Sequence, residues 1–141
     1  MIRIGIISPS EIAFRRFLPA LSKVQDFTFV GVAVANNQEW CAVNESILRK
    51  EYEKAEKFIL QYGGKIFTSY QEMIEMDDID ALYVPLPPAL HYQWAMKGLL
   101  ANKHVLVEKP ATTLLSETKA LISLAKKKHL ALHENYMFAF H

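Results

Sequence analysis

One cysteine, Cys41, stands among 141 residues. A lone thiol forms no internal disulfide and provides no metal-ligand spacing, which excludes a disulfide scaffold and suits a reducing compartment. Neither sign of charge dominates: 16 Lys and Arg face 15 Asp and Glu, a formal net charge of +1. Without a basic footprint, nucleic acid is not an expected partner. No apolar run approaches the roughly 18 residues of a spanning helix, and the opening "MIRIGII" is too short for the apolar part of a secretory signal. The expectation is a cytoplasmic protein without a membrane partner. Internal repeats and low-complexity segments are also missing.

What is present is a chain half hydrophobic, of a length that suits one core. Short apolar runs alternate with segments of helical period, the pattern of βαβ units and a parallel sheet. Strands are expected at Ile2 to Ile7, Phe27 to Ala35, Lys65 to Phe67, Ala81 to Val84, His104 to Val107 and Leu130 to Leu132. Helices are expected from Glu11 to Lys23, shortened or kinked by Pro19, and from Glu45 to Tyr62, stopped by Gly63-Gly64. Further helices are expected from Tyr70 to Glu75, from Ala89 to Ala101, and over the stretch ending in "AKKKH", capped by Thr113 or Ser116. Asn102 suits a left-handed helix end. Together these predict a doubly wound parallel α/β sheet, whose ligand crevice lies outside the carboxyl ends of its strands.

The residues at those ends therefore carry the chemistry. A phosphate cradle between strand and helix needs small residues, so that backbone can turn tightly and approach a pyrophosphate. Here the turn reads Ser8-Pro9-Ser10-Glu11-Ile12-Ala13, and only its third small position is met outright. Serine adds a hydroxyl able to bind phosphate, yet its Cβ opposes the positive φ that glycine permits. A phosphate site and an ordinary serine cap are both open. After the second strand, an acid would favour the ribose of NAD and an arginine the extra phosphate of NADP. Asn36 and Asn37 are neither, so cofactor preference is undetermined and a polar loop start is as good a reading. Pro85-Leu86-Pro87-Pro88 ends the fourth strand, and Glu108-Lys109-Pro110 follows the fifth.

With "SPSEIAFRRFLPAL", "DIDALYVPLPPALHYQWAMKGLLANKHVLVEKP" and "HENYMFAFH" in view, the chain resembles the glucose-fructose oxidoreductase / inositol dehydrogenase / MocA (Gfo/Idh/MocA) family. The resemblance covers essentially the whole chain and is most specific from Asp80 to Pro110. It implies an oxidoreductase of about twice this length, using NAD or NADP on a small-molecule substrate such as a sugar, polyol or nucleotide-sugar. It also implies a Rossmann dinucleotide-binding domain over residues 1–135 and the start of a linking segment at 136–141, with a second, substrate-holding α/β domain absent from this chain. The intact protein is expected to be a homo-oligomer.

By the same resemblance Lys109 matches the active-site lysine near the nicotinamide, where it would hold the reacting oxygen and relay its proton. Glu108 matches an acid reaching toward the cofactor ribose, and Pro110 would carry the family's cis peptide. Pro85, Leu86 and Pro87 match a turn lying against the cofactor. His91 matches a histidine in the first turn of the next helix, where capping or packing is the plainer alternative. Ser8, Pro9, Ser10, Glu11, Ile12, Asn36 and Asn37 complete the expected cofactor site. Glu134 matches a family acid, whereas His133 is read as structural. Ser8 and Ser10 replace glycines, Pro88 replaces an asparagine and Ala139 an arginine. Those departures keep a second class of function open, a non-catalytic dinucleotide- or sugar-sensing domain or an assembly scaffold.

Overall fold

The computed structural model describes residues 1–41 and 43–135 and holds six strands in one parallel sheet. Strand β1 (Ile2–Ile7) leads through a π-helical turn (Ala13–Phe17) into helix α1 (Leu18–Leu21). There follow β2 (Phe27–Ala33), α2 (Glu45–Tyr62), β3 (Lys65–Phe67), α3 (Tyr70–Ile74), β4 (Ala81–Val84), α4 (Pro88–Leu100), β5 (His104–Glu108), α5 (Leu115–Lys128) and β6 (Leu132–Asn135). The order across the sheet is β3-β2-β1-β4-β5-β6, so β1 and β4 are neighbours where the winding reverses. That reversal opens a crevice at the carboxyl ends of these two strands.

Each face of the sheet's central strands carries an apolar core. On β4, Leu82 and Val84 pack with Trp94, Leu99 and Leu121 on one side, while Tyr83 packs with Ile6, Leu18 and Phe58 on the other. Each fully buried side chain of this size contributes about 1.5–3 kcal/mol. The β1–β2 register shifts between Ile4 and Gly5, a bulge that resets the alternation of β2. Phe27 and Phe29 before it face the same core as Val32 and Val34 after it. None of the helices among the described residues is long and apolar enough to cross a membrane.

Local chemistry fixes most boundaries. Asn44 caps α2 by accepting from the Ile47 N–H at 2.9 Å, and Ser69 caps α3 by accepting from Glu72 at 3.0 Å. Gly63 and Gly64 close α2 at φ of 77° and 83°. At Gly64 a Cβ would lie 2.7 Å from the Val30 carbonyl oxygen, so the position admits no side chain.

Three expectations are corrected, while the first helix stops at Leu21, short of Lys23 as Pro19 led one to expect, after widening into a π turn in which the Leu18 N–H reaches the Ala13 carbonyl. Proline gives the Arg15 carbonyl no donor and crowds it, and the wider turn relieves that clash. Strand β2 ends at Ala33 instead of Ala35. Neither Thr113 nor Ser116 caps α5, whose N-cap is Leu114 without a side-chain bond. Instead Thr112 donates to the Leu114 carbonyl at 2.8 Å and accepts from the Thr118 hydroxyl. Strand β6 begins at Leu132, because the Leu130 N–H closes α5 on the Ala125 carbonyl and His129 takes a left-handed φ of 57°.

Candidate functional site

Sheet register assembles the site. Ile6 pairs with Tyr83, Tyr83 with Leu106 and Leu106 with His133. Two residues beyond each of these come Ser8, Pro85, Glu108 and Asn135, which therefore stand level along one rim. Strands lie about 4.8 Å apart, so the Ser8 turn and the β5 end are roughly 10 Å apart across the crevice.

The first turn uses a backbone conformation that serine resists. Ser8 has φ of 93°, outside the range of an unstrained L-residue. Its N–H donates to the Ala33 carbonyl at 3.0 Å, and the Ser10 N–H donates back to the Ser8 carbonyl at 2.9 Å. The Ser8 side chain lies beside the phenol of Tyr70, whose pKa burial pushes up to about 12 while the serine pulls the other way. Ser10 caps the following helix by accepting from the Ala13 N–H at 3.2 Å. Pro9 is buried, Ile12 half-buried, and the exposed Glu11 pairs with Arg15 at 3.7 Å. The opening turn of a helix leaves backbone N–H groups pointing outward, which suits an anion.

At the end of β2, the Asn36 side-chain oxygen accepts from the N–H groups of Gln38 and Glu39 at 3.0 and 2.8 Å, while Asn37 is exposed. Glu39 is the nearest acid. Its two oxygens accept from the Tyr70 and Gln71 N–H groups at 2.8 and 2.9 Å, capping α3 and tying it to this loop. No sequence signal pointed to Glu39, since the cap it supplies lies thirty-odd residues away in the chain.

Beyond β4, Pro85 and Leu86 are buried and Pro87 is exposed. His91 is fully buried in the first turn of α4, its Nδ1 2.6 Å from the Pro110 carbonyl oxygen and its Nε2 against the Leu86 carbonyl. Beyond β5, Glu108 accepts from the Tyr83 hydroxyl and, at 2.7 Å, from the Asn135 amide. Burial, and next the carboxylate itself, raise the Tyr83 pKa far above its ordinary value. Tyr83 and Asn135 went unread in the sequence. A tyrosine inside an apolar strand nevertheless needs a partner for its hydroxyl, and Glu108 lies diagonally across from it on the same sheet face.

Lys109 is exposed at the rim, and the Lys109–Pro110 peptide is cis. Glu134 accepts from the Ala111 N–H at 2.7 Å, fastening the same turn from β6. His133 is exposed on β6 and lines an apolar cavity of about 420 Å³ on the sheet face with Phe17, Leu21, Tyr83 and Leu106. That cavity lies away from the rim and lacks the polar groups a dinucleotide needs. Pro88 is the first residue of α4, and Ala139 lies outside the described residues, as does the whole 136–141 segment.

The structure thus brings Ser8 to Ile12, Pro85 to Pro87 and Glu108–Lys109 to one rim, with Asn36 and Asn37 at its β2 end. It sets His91 behind the two turns. Among the described residues no cluster of His, Cys, Asp or Glu is placed to hold a metal. The residues fit a dinucleotide in three respects: the crevice sits where the winding reverses, the first turn takes a left-handed residue before a helix start, and one lysine stands across from it. They depart in one, because the Ser10 hydroxyl of the turn is already hydrogen-bonded within the protein.

Comparison with known proteins matches this chain to a family model. Residues 2–136 match the Gfo/Idh/MocA model, described as an oxidoreductase family with an NAD-binding Rossmann fold. The dTDP-3,4-didehydro-2,6-dideoxy-alpha-D-glucose 3-reductase of Saccharopolyspora spinosa is 41% identical over 140 residues, covering 99% of this chain and 38% of the relative. The enzyme of the same name from Actinomadura kijaniata is 38% identical with the same coverage. The crystal structure of KijD10, a 3-ketoreductase from that organism in complex with NADP and TDP-benzene, superposes with a TM-score of 0.84 at 36% identity, covering 99% of this chain and 38% of that one. The chain therefore spans under two-fifths of the length of these relatives.

Proposed function

The chain belongs to the Gfo/Idh/MocA oxidoreductase family, and from that premise we propose that it is the dinucleotide-binding part of an NADP-linked ketoreductase acting on a nucleotide-linked deoxysugar. Residues 1–135 form that part, and 136–141 begin the link to the substrate-holding part. One observation carries the reading: Ser8, Pro85 and Glu108 stand level on the carboxyl rim across the point where the winding reverses, with Lys109 next in line. The relatives that match nearly the whole chain at 36–41% identity are sugar 3-reductases, and the solved one holds NADP.

The nicotinamide, when bound, supplies the hydride. The protein's own groups do the rest. The first turn offers the Glu11 and Ile12 N–H groups, at the start of a helix, to the pyrophosphate. Asn36 and Asn37, being neutral, admit the ribose-phosphate edge without the charge repulsion an acid there would impose on a 2′-phosphate. Lys109 donates a hydrogen bond to the sugar carbonyl oxygen and supplies its proton as charge develops there. Glu108, held by Tyr83 and Asn135, presents its remaining oxygen toward the ribose hydroxyls.

A second reading, a non-catalytic dinucleotide-sensing domain, is favoured by the engagement of the Ser10 hydroxyl inside the protein. Titrating the intact polypeptide with NADPH and NADH by fluorescence or calorimetry separates the two. Micromolar NADPH binding that is lost when the first turn is mutated, together with turnover of a keto-sugar nucleotide, supports the enzyme. Millimolar or absent binding removes it. The 141-residue chain alone is expected to bind weakly and to show no turnover.

A further inference from the structure

His91 has no exposed surface, yet both of its ring nitrogens meet oxygen. Nδ1 lies 2.6 Å from the carbonyl of Pro110, in the turn that carries Lys109. Nε2 faces the carbonyl of Leu86, in the proline-rich turn after β4. These carbonyls belong to different loops, nineteen and five residues from the histidine. A carbonyl oxygen accepts and never donates, so each contact needs an N–H on the ring side. A ring with one N–H satisfies one carbonyl and turns a lone pair on the other, whereas a ring with two satisfies both. Among the described residues no buried side-chain nitrogen or oxygen lacks a partner. The rest of the turn is fastened separately, by Glu134 on the Ala111 N–H.

We infer that His91 is a positioning residue: by donating from both ring nitrogens it fixes the distance between the Pro85–Leu86–Pro87 turn and the Lys109–Pro110 turn, and so places the lysine in the crevice. The inference rests on the reading of Lys109 given above. It assigns His91 no contact with cofactor or substrate. A packing role alone would require an imidazole-shaped filler, indifferent to which nitrogen has a hydrogen. The clamp requires two specific donors, and the two amide residues divide them. An asparagine amide reaches the place of Nδ1, and a glutamine amide that of Nε2. His91→Asn therefore keeps the tie to Pro110, and His91→Gln keeps the tie to Leu86.

Nitrogen-15 spectra of the histidine ring test the hydrogen count in the ligand-free protein, and backbone amide spectra test the two ties. The expected result is a hydrogen on both ring nitrogens of His91, a Lys109 amide resonance displaced in His91→Gln and near its parent position in His91→Asn, and the reverse for Leu86. In the intact polypeptide kcat should fall roughly 10- to 100-fold in His91→Gln, the scale of a sub-ångström to ångström misplacement. His91→Asn should retain most of kcat, and KM for the sugar should move less than threefold in both. A ring with one bare nitrogen, or a Lys109 amide unmoved in His91→Gln, overturns the clamp. If the parent protein neither binds NADPH nor turns over, the functional proposal fails while the ring and amide spectra still decide the clamp. Should a variant fail to fold, the ring spectrum of the parent alone decides it.

Discussion

At the amino end of the sheet Arg3, Asp80 and Lys103 are locked to neighbours. Arg3 gives Asp80 its backbone N–H at 2.8 Å, its Nε at 3.1 Å and a terminal guanidinium nitrogen at 3.0 Å. The buried Lys103 ammonium donates to the carbonyls of Met76 and Ile79 at 2.5 and 2.6 Å, sewing the α3–β4 loop to the start of β5. At the carboxyl end the arrangement differs. Ser8 holds a left-handed φ, two carbonyls converge on one histidine, and Lys109 stands exposed at the rim. One end uses its polar groups to close the fold; the other sets them around an opening and carries backbone strain to do so. The same sheet thus separates stability from chemistry along its strands.

That separation is open to attack from both ends. The largest effect is expected at Lys109. Lys109→Ala in the intact polypeptide should lower kcat by roughly 10²-fold or more while its thermal midpoint, followed by circular dichroism, stays put. An unchanged rate would remove Lys109 from the chemistry.

Lys103→Met probes the opposite end. Two carbonyls lose their donor, which should reduce stability in urea by about 1–3 kcal/mol, and NADPH affinity should stay within threefold of the parent. A tenfold loss of affinity at unchanged stability would mean that the two ends are not separate.

Ser8 sharpens the comparison within the rim itself. Ser8→Ala keeps the strained φ and removes only the hydroxyl beside Tyr70, so a change of at most about 1 kcal/mol is expected. Ser8→Gly removes the same hydroxyl but relieves strain of about 1–3 kcal/mol, partly offset by the freedom glycine regains on unfolding. It should therefore be the more stable of the two in a denaturant series, and the reverse order would show that the φ is not strained.

The smallest effect belongs to the exposed pair at the amino end. Hydrogen bonds from Arg3 hold the Asp80 carboxyl down to about 2, from an ordinary 3.8. A depressed carboxylate stabilises the fold above the unfolded value and ceases to do so as pH falls through the folded one. The contribution is thus present above about pH 4 and lost toward pH 2. Arg3→Ala should flatten the acid limb of a stability profile between those values and leave neutral-pH NADPH binding alone, whereas an unchanged limb would leave the pair without effect on stability.

Much of this division was legible in the sequence. The alternation of apolar runs with helical segments gave six strands and their winding, because a strand inside the sheet leaves a strong apolar pattern in runs such as "ALYV" and "HVLV". Asn102 adopts the left-handed end expected of it, with φ of 67°. The Glu-Lys-Pro frame placed Lys109 at a strand end. What stayed hidden depended on contacts distant in the chain. The capping of α3 by Glu39, the grip of Tyr83 and Asn135 on Glu108, and the position of His91 between two loops all join residues that only the folded sheet brings together. Leu130 misled because its apolar character suits a strand, while its N–H is claimed by the closing turn of α5. The left-handed Ser8 misled in the opposite sense: the Cβ argues against that φ, yet the bond from its N–H to the Ala33 carbonyl holds it there.

The most direct test is a titration of the isotopically labelled chain with NADPH, followed by backbone amide shifts. Perturbations are predicted at Ser8 to Ile12, Asn36, Asn37, Leu86, Glu108 and Lys109, with Arg3, Asp80 and Lys103 unmoved. Perturbations centred on the amino end, or none at millimolar NADPH, would contradict the assignment of the carboxyl rim as the dinucleotide site.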